Sequence, residues 1–122
     1  MKFTRESANA LTIRRVEQGR IGIGETFYES SICLTADEAL KEIDVPSMAS
    51  LTLDHLDQAL VADPEMLVLG TGWTYRMPPR DLMFALAKRG IGLEVMDTPA
   101  ACRTYNILIS EGRRPAALLV ID

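Results

Sequence analysis

The chemically versatile side chains of this 122-residue sequence are concentrated in one short stretch, residues 97–108. Within twelve positions it carries Asp, Thr, Cys, Arg, Tyr and Asn side chains. An apolar run at residues 93–96 precedes it, and Asp97 and Pro99 open it, so we predict a strand that leads into a helix. The amide groups at such a helix start are free to bind an anion.

A second candidate segment, Gly70-Thr71-Gly72, follows the apolar run at residues 66–69. Open parallel sheets bind ligands beyond the carboxyl ends of their strands, so both segments should reach the same edge. Trp73, Tyr75 and Arg80 could wall a crevice there. The candidate ligand-binding residues are Gly70, Thr71, Gly72, Arg76, Asp97, Thr98, Arg103 and Asn106.

A purely structural interpretation of the same residues stays open. Gly-Thr-Gly lacks the full dinucleotide fingerprint and the P-loop lysine, and it fits a tight turn equally well. Asp97 and Thr98 have the residue types that cap a helix. Asn106 is harder to explain as packing, because we place it with Arg103 on the polar face of the helix.

No complete catalytic constellation is visible in the sequence. Cys102 near a helix start, beside Arg103, could have a lowered pKa and act as a nucleophile, but His55, the one histidine, is predicted on another helix. A small buried packing residue is the alternative for Cys102, and Cys33 has the same interpretation. The two cysteines match no metal-ligand spacing. We therefore predict no catalytic residue, no metal and no cofactor.

The elements that position these residues follow from the apolar periodicity. Residues 11–14, 21–23 and 26–34 predict antiparallel strands, and residues 35–50 are expected to be irregular. Thr52 should cap a short helix. Strands near residues 66–69, 93–96 and 116–121 then alternate with helices at 80–89 and from Pro99 to about Gly112.

This order predicts one α/β domain over residues 1–122. It would be a layered domain in which a central parallel βαβαβ sheet, with right-handed crossovers and adjacent parallel strands, carries an N-terminal antiparallel β portion. In the last helix, Ala101, Tyr105 and Leu108 are expected to face inward.

Composition excludes several classes of protein. The 48% hydrophobic and 25% charged residues indicate a soluble globular chain. A net charge of −4 argues against nucleic acid as a partner, and the acidic stretch 25–65 could attract a basic one or simply aid solubility. The longest apolar run, residues 116–121, is too short to insert into a membrane. Residues 1–6 do not resemble a signal peptide, so we predict a cytoplasmic protein; its oligomeric state stays open.

Several ordered motifs together resemble one known family. They are Leu67-Val68-Leu69-Gly70-Thr71-Gly72, Gly90-Ile91, Glu94-Val95-Met96-Asp97-Thr98, Ala101-Cys102-Arg103-Thr104-Tyr105-Asn106-Ile107-Leu108 and Glu111-Gly112-Arg113. The chain resembles the small α/β domain of unknown function that includes the mitochondrial assembly factor 3 of respiratory complex I. The resemblance implies a layered α/β fold with a parallel and an antiparallel sheet. It also implies protein contacts in the assembly of membrane respiratory complexes, and no established enzymatic activity.

Three hypotheses about function remain. The first is a non-catalytic protein-interaction or assembly module with a protein partner. The second is a small-molecule or anion-binding protein, with or without enzymatic activity, that has its crevice at the carboxyl edge of the parallel sheet. The third is thiol chemistry at Cys102.

Overall fold

A small antiparallel sheet opens the described part of the chain. The computed structural model describes residues 12–122, so the predictions for residues 1–6 and for position 11 lie outside it. Strands β1 (Ile13–Glu17), β2 (Arg20–Ile23) and β3 (Thr26–Tyr28) pair in the order β1-β2-β3. Gly19 makes the first hairpin turn with a φ of +90°, which favours glycine.

The central layer is a five-stranded mixed sheet in the order β5-β4-β8-β6-β7. Its strands are β4 (Ile32–Thr35), β5 (Leu40–Glu42), β6 (Met66–Gly70), β7 (Gly92–Met96) and β8 (Pro115–Leu119). Strand β6 runs parallel to both β7 and β8, whereas β4 runs antiparallel to β8 and β5. The predicted α/β class, with a parallel βαβαβ unit and an antiparallel N-terminal portion, is therefore confirmed.

Three details differ from the prediction. Residues 26–34 do not form one strand, because residues 29–31 separate β3 and β4, which belong to different sheets. A short strand, β5, lies within the segment predicted to be irregular. Strand β8 pairs with β6 rather than with β7, so the last crossover returns past β6 to its other side.

The helices begin and end where local chemistry dictates. After 3-10 turns at Met48–Ser50 and Leu53–Leu56 come helices α1 (Asp57–Val61), α2 (Arg80–Lys88) and α3 (Thr98–Ser110). Asp97 caps α3, because its Oδ1 accepts a hydrogen bond from the Ala100 N–H at 2.9 Å. Gly90 and Gly112, each with a φ of +75°, follow α2 and α3.

Alternate residues of the central strands supply two separate cores. Leu67 and Leu69 face one side, where they pack with α1, α2 and the 3-10 turns. Val68 faces the other side, where it packs with α3 and the small antiparallel sheet. This arrangement explains why the sequence of β6 is uniformly apolar: both faces of the strand are covered. The inner stripe predicted for α3 is confirmed for Ala101 and Tyr105, which are buried, while Leu108 is half-buried.

Candidate functional site

The carboxyl end of β6 lies directly against the start of α3. A Cβ atom added to Gly70 would lie 2.9 Å from the Thr98 Cα and 3.0 Å from the Ala101 Cβ. Real Cβ atoms essentially never approach so closely, so glycine is required here for the helix to reach the strand. The glycine therefore serves helix packing against the sheet.

Thr98 joins three segments of the chain at this edge. Its buried hydroxyl donates to the Val120 carbonyl at 2.7 Å and accepts from the Gly72 N–H at 2.9 Å. Its own N–H donates to the Gly72 carbonyl at 2.8 Å. The polar groups that the sequence suggested for a ligand are thus engaged with one another.

The turn after β6 is held by a second buried threonine. The Thr71 N–H donates to the Met96 carbonyl at 2.9 Å. Its Oγ1 accepts from the Arg76 N–H at 2.9 Å and donates to the Thr74 carbonyl at 3.4 Å. One buried side chain therefore fixes Thr74 and Arg76 within residues 73–77, which we call the 73–77 loop.

A carboxylate that the sequence reasoning missed also fixes this loop. Asp122 Oδ1 accepts from the Trp73 N–H at 2.8 Å, and its Oδ2 accepts from Arg76 Nη1 at 3.2 Å. At Gly72, where φ is +123°, an added Cβ would lie 2.8 Å from Asp122 Oδ2. No sequence signal pointed to Asp122, because it lies 49 residues from Trp73. This edge of the domain can evidently hold a carboxylate through one amide and one guanidinium.

The remaining candidate residues do not join this network. Asp97 acts as the helix cap, and Arg103 is exposed, with a guanidinium that makes no hydrogen bond or ion pair with any residue from 12 to 122. Asn106 clamps β1, because its Oδ1 accepts from the Ile13 N–H at 3.1 Å and its Nδ2 donates to the Ile13 carbonyl at 2.9 Å. A polar residue is therefore explained at this position of α3, because its side chain forms hydrogen bonds with the backbone of β1.

The two cysteines are buried free thiols. Burial raises the pKa of Cys102 to about 12 and outweighs the neighbouring positive charge of Arg103, which lowers it. Burial likewise raises the pKa of Cys33 to about 11. Both thiols are therefore protonated and shielded near neutral pH, which is the opposite of an activated nucleophile.

Among residues 12–122, no group of three or more His, Cys, Asp or Glu side chains is placed to bind a metal ion. In the same part of the chain, none of the helices is long and apolar enough to span a bilayer.

The most exposed feature of this edge is the 73–77 loop itself. Trp73, Tyr75 and Met77 are 36%, 52% and 66% exposed, and Arg76 is exposed beside them. Two open grooves meet at Met77. One, of about 420 Å³, is lined by Pro46, Ser47, Met48, Ala49, Thr71, Arg76, Met77 and Asp122. The other, of about 290 Å³, is lined by Met77, Pro78, Arg80 and Met83.

Comparisons with known proteins agree with this architecture. The family described as "Protein of unknown function (DUF498/DUF598)" matches residues 13–120. The chain is 38% identical over 90 residues to the zebrafish (Danio rerio) protein named NADH dehydrogenase [ubiquinone] 1 alpha subcomplex assembly factor 3, covering 72% of this chain and 52% of that protein. The chain thus spans about half the length of that relative.

Two bacterial proteins are similar over more of their length. A "13 kDa major membrane protein" of Francisella tularensis is 32% identical over 101 residues, which cover 82% of this chain and 80% of that protein. A crystal structure from Bordetella parapertussis is 34% identical, has a TM-score of 0.84, and covers 91% of this chain and 95% of that one. The chain therefore belongs to the DUF498/DUF598 family of proteins of unknown function.

Proposed function

We propose that this chain is a non-catalytic protein-interaction module of the assembly-factor type. The observation that carries the proposal is its similarity to an assembly factor for an NADH dehydrogenase, at 38% identity over 90 residues. Its partner would then be a subunit of a membrane-bound respiratory complex or another assembly protein. We place the protein in the cytoplasm, where it would meet such a subunit before or during assembly.

The hydrogen bonding at the carboxyl edge supports this proposal over a small-molecule site. A ligand crevice would need free donors and acceptors, but those of Gly72 and Thr98 are bonded to each other and to Val120. Displacing them would leave buried polar groups without partners, which costs about 1–3 kcal/mol for each group. A protein partner needs only an exposed surface with suitable side chains.

The buried cysteines argue against thiol catalysis. A thiol whose pKa burial raises to about 12, as at Cys102, provides almost no thiolate at neutral pH. In the described residues the one histidine, His55, accepts a hydrogen bond from the Thr52 N–H at 2.9 Å at the start of a 3-10 turn. It thus serves a helix start and does not pair with Cys102.

The proposal is tested by recovering the protein with its partners from its native cells. A tagged copy is purified after gentle lysis, with an untagged strain as the control, and bound proteins are identified by mass spectrometry. We expect the same partner in every replicate, with subunits of an NADH dehydrogenase among the recovered proteins. Recovery of no reproducible partner would count against the proposal.

A deletion strain tests the role in assembly directly. Without the protein, native gels should show partial assemblies of the NADH dehydrogenase and less of the complete complex. Re-expression of Cys102→Ala should restore the complex, since a non-catalytic module does not need that thiol. Normal amounts of complete complex in the deletion strain would refute the assembly role. If a folded Cys102→Ala protein failed to restore the complex, the proposal that the module works without this thiol would be refuted.

A further inference from the structure

The 73–77 loop has the residue types that dominate binding energy in protein interfaces. Trp, Tyr, Arg and Met are enriched at interface centres, and truncation of Trp, Tyr or Arg there is the most costly. Here Trp73, Tyr75, Arg76 and Met77 stand within five consecutive positions, all exposed to solvent. The side chain of Tyr75 also contacts Met77, with its hydroxyl 3.8 Å from the sulfur.

This loop is held in place by the chain itself. Thr71 anchors the loop at the Arg76 N–H, and Asp122 anchors it at the Trp73 N–H. A surface that is already ordered before binding loses less conformational entropy on association. The exposed aromatic side chains are therefore presented on a positioned backbone.

The two grooves beside Met77 give this surface a concave shape. Their volumes, about 420 and 290 Å³, compare with the lower part of the roughly 300–1,000 Å³ range of ligand pockets. Met77 lines both, and methionine is a flexible apolar side chain that adapts to different contacts. Pro46 and Pro78 add rigid apolar walls. Apolar side chains of a partner can be accommodated on either side of Met77.

The arginines on this surface can pair with single carboxylates. Arg76 and the Trp73 N–H already hold the carboxylate of Asp122. Arg80, which lines the smaller groove, is exposed, and its guanidinium makes no hydrogen bond or ion pair with any other residue between 12 and 122. An acidic residue in a partner could pair with Arg80 while its neighbour fills the groove.

A membrane surface fits the same region less well. Exposed Trp and Tyr side chains do occur at bilayer interfaces. However, the acidic Asp81 is exposed beside Arg80, Asp122 lies against Arg76, and the whole chain carries a net charge of −4. Anionic headgroups would be repelled by these carboxylates, whereas a peptide can place a single carboxylate at Arg80.

We infer that the 73–77 loop and its two grooves form a docking site for a segment of a partner protein in which an apolar side chain stands beside an acidic one. This inference rests on the proposed function and names the surface and the partner chemistry that would serve it. The apolar side chain enters a groove at Met77, and the carboxylate pairs with Arg80.

A random peptide library displayed on phage tests the inference with the full chain as bait. Synthetic peptides made from the selected sequences are then titrated against four variants by fluorescence anisotropy. Met77→Ser and Arg80→Glu change the proposed site. Ile107→Ser is the matched control for Met77→Ser, since Ile107 is an apolar residue of α3 that is 55% exposed. Arg89→Glu is the matched control for Arg80→Glu, since Arg89 is also an exposed arginine.

The expected selection is for sequences with Asp or Glu next to Leu, Phe or Trp. Met77→Ser and Arg80→Glu should each weaken binding by about tenfold or more, as central interface residues do, and the controls by less than about twofold. Replacing the peptide's acidic residue with its amide should weaken binding to the wild type but not to Arg80→Glu. Circular dichroism confirms that each variant is folded.

Several results would overturn the inference. They are no enriched peptide, equal binding to all variants, vesicle binding that Met77→Ser abolishes, or self-association that the same change abolishes. The last two would assign the surface to a membrane or to a second copy of the chain. Purification of Met77→Ser from native cells separates this inference from the proposed function. If it recovers the same partners as the wild type, the assembly role stands and the docking site lies elsewhere.

Discussion

Replacing Thr98 with valine tests whether the carboxyl edge of the sheet is held together by its own hydrogen bonds. Valine has nearly the shape of threonine, so the change creates no cavity and removes only the hydroxyl. That hydroxyl is buried and bonds both the Gly72 N–H, at 2.9 Å, and the Val120 carbonyl, at 2.7 Å. Two buried polar groups would lose a partner.

The magnitude follows from the cost of such unsatisfied groups. Each costs about 1–3 kcal/mol, so the two together should lower the free energy of unfolding of Thr98→Val by about 2–6 kcal/mol. This is a large share of the roughly 5–15 kcal/mol that stabilises a typical domain. Thr98→Ser keeps both hydrogen bonds and should retain most of the stability.

Urea unfolding followed by circular dichroism measures this loss. Thr104→Val is the control, because it removes a hydroxyl from the same helix whose bond is to a weak acceptor, the Met96 sulfur, at 3.3 Å. We expect the control to lose less than about 1 kcal/mol. If Thr98→Val were no more destabilising than Thr104→Val, the hydroxyl would not be a structural connector, and its availability to a ligand would have to be reconsidered.

Three further changes test other parts of the structure. Gly70→Ala should lower the free energy of unfolding by about 1–3 kcal/mol, because α3 must move away from the added methyl group. Gly92→Ala is the control in the same urea assay, since the nearest atom lies 3.7 Å from the added Cβ. Asn106→Ala should speed hydrogen exchange at the Ile13 amide, which loses its acceptor, and unchanged exchange would contradict the clamp. Cys102 should react with iodoacetamide far more slowly than a free thiol at neutral pH. Burial in the folded protein raises the pKa of Cys102 from about 9.0 to about 12. The contribution of this thiol to the free energy of unfolding is therefore complete below pH 9 and is lost as the pH rises towards 12. Cys102→Ala should reduce this loss of stability at high pH.

Local patterns predicted the elements that are held by local chemistry. The uniformly apolar run at residues 66–69 identified a strand covered on both faces, and Asp97 with Pro99 identified the start of α3. Gly90 and Gly112 marked the helix ends because a positive φ is required there. Each of these signals depends on neighbours within one turn or one strand, so a single sequence is sufficient to read them.

Errors arose where distant segments decide the outcome. The polar run at residues 29–31 marks the break within residues 26–34, but it does not reveal that β3 pairs with β2 while β4 pairs with β8. Ser31, which lies in the break, accepts a hydrogen bond from the Ile121 N–H at 3.0 Å, a partner 90 residues away. Strand β5 has only three residues and depends on pairing with β4.

The candidate site shows the same division between local and distant information. The sequence correctly indicated that Gly72 and Thr98 meet at one edge, because parallel strands and their helices impose it. It could not show that Val120 and Asp122 return to that edge and bond to both segments. Whether polar groups at a sheet edge are free for a ligand is decided by such distant partners, and it must be read from a structure.

The internal bonds at this edge also account for the exposure of its neighbours. Both backbone groups of Gly72 are hydrogen-bonded to Thr98 at the start of α3, so the chain leaves the sheet at Gly72. Thr71 then brings Arg76 back within five residues, which leaves too little chain for the intervening side chains to reach the core. Trp73 and Tyr75 are exposed as a consequence. Thr71, Gly72 and Thr98, which the sequence suggested as ligand-binding residues, thus fix the backbone of the loop that exposes Trp73 and Tyr75, the surface that we propose as a docking site.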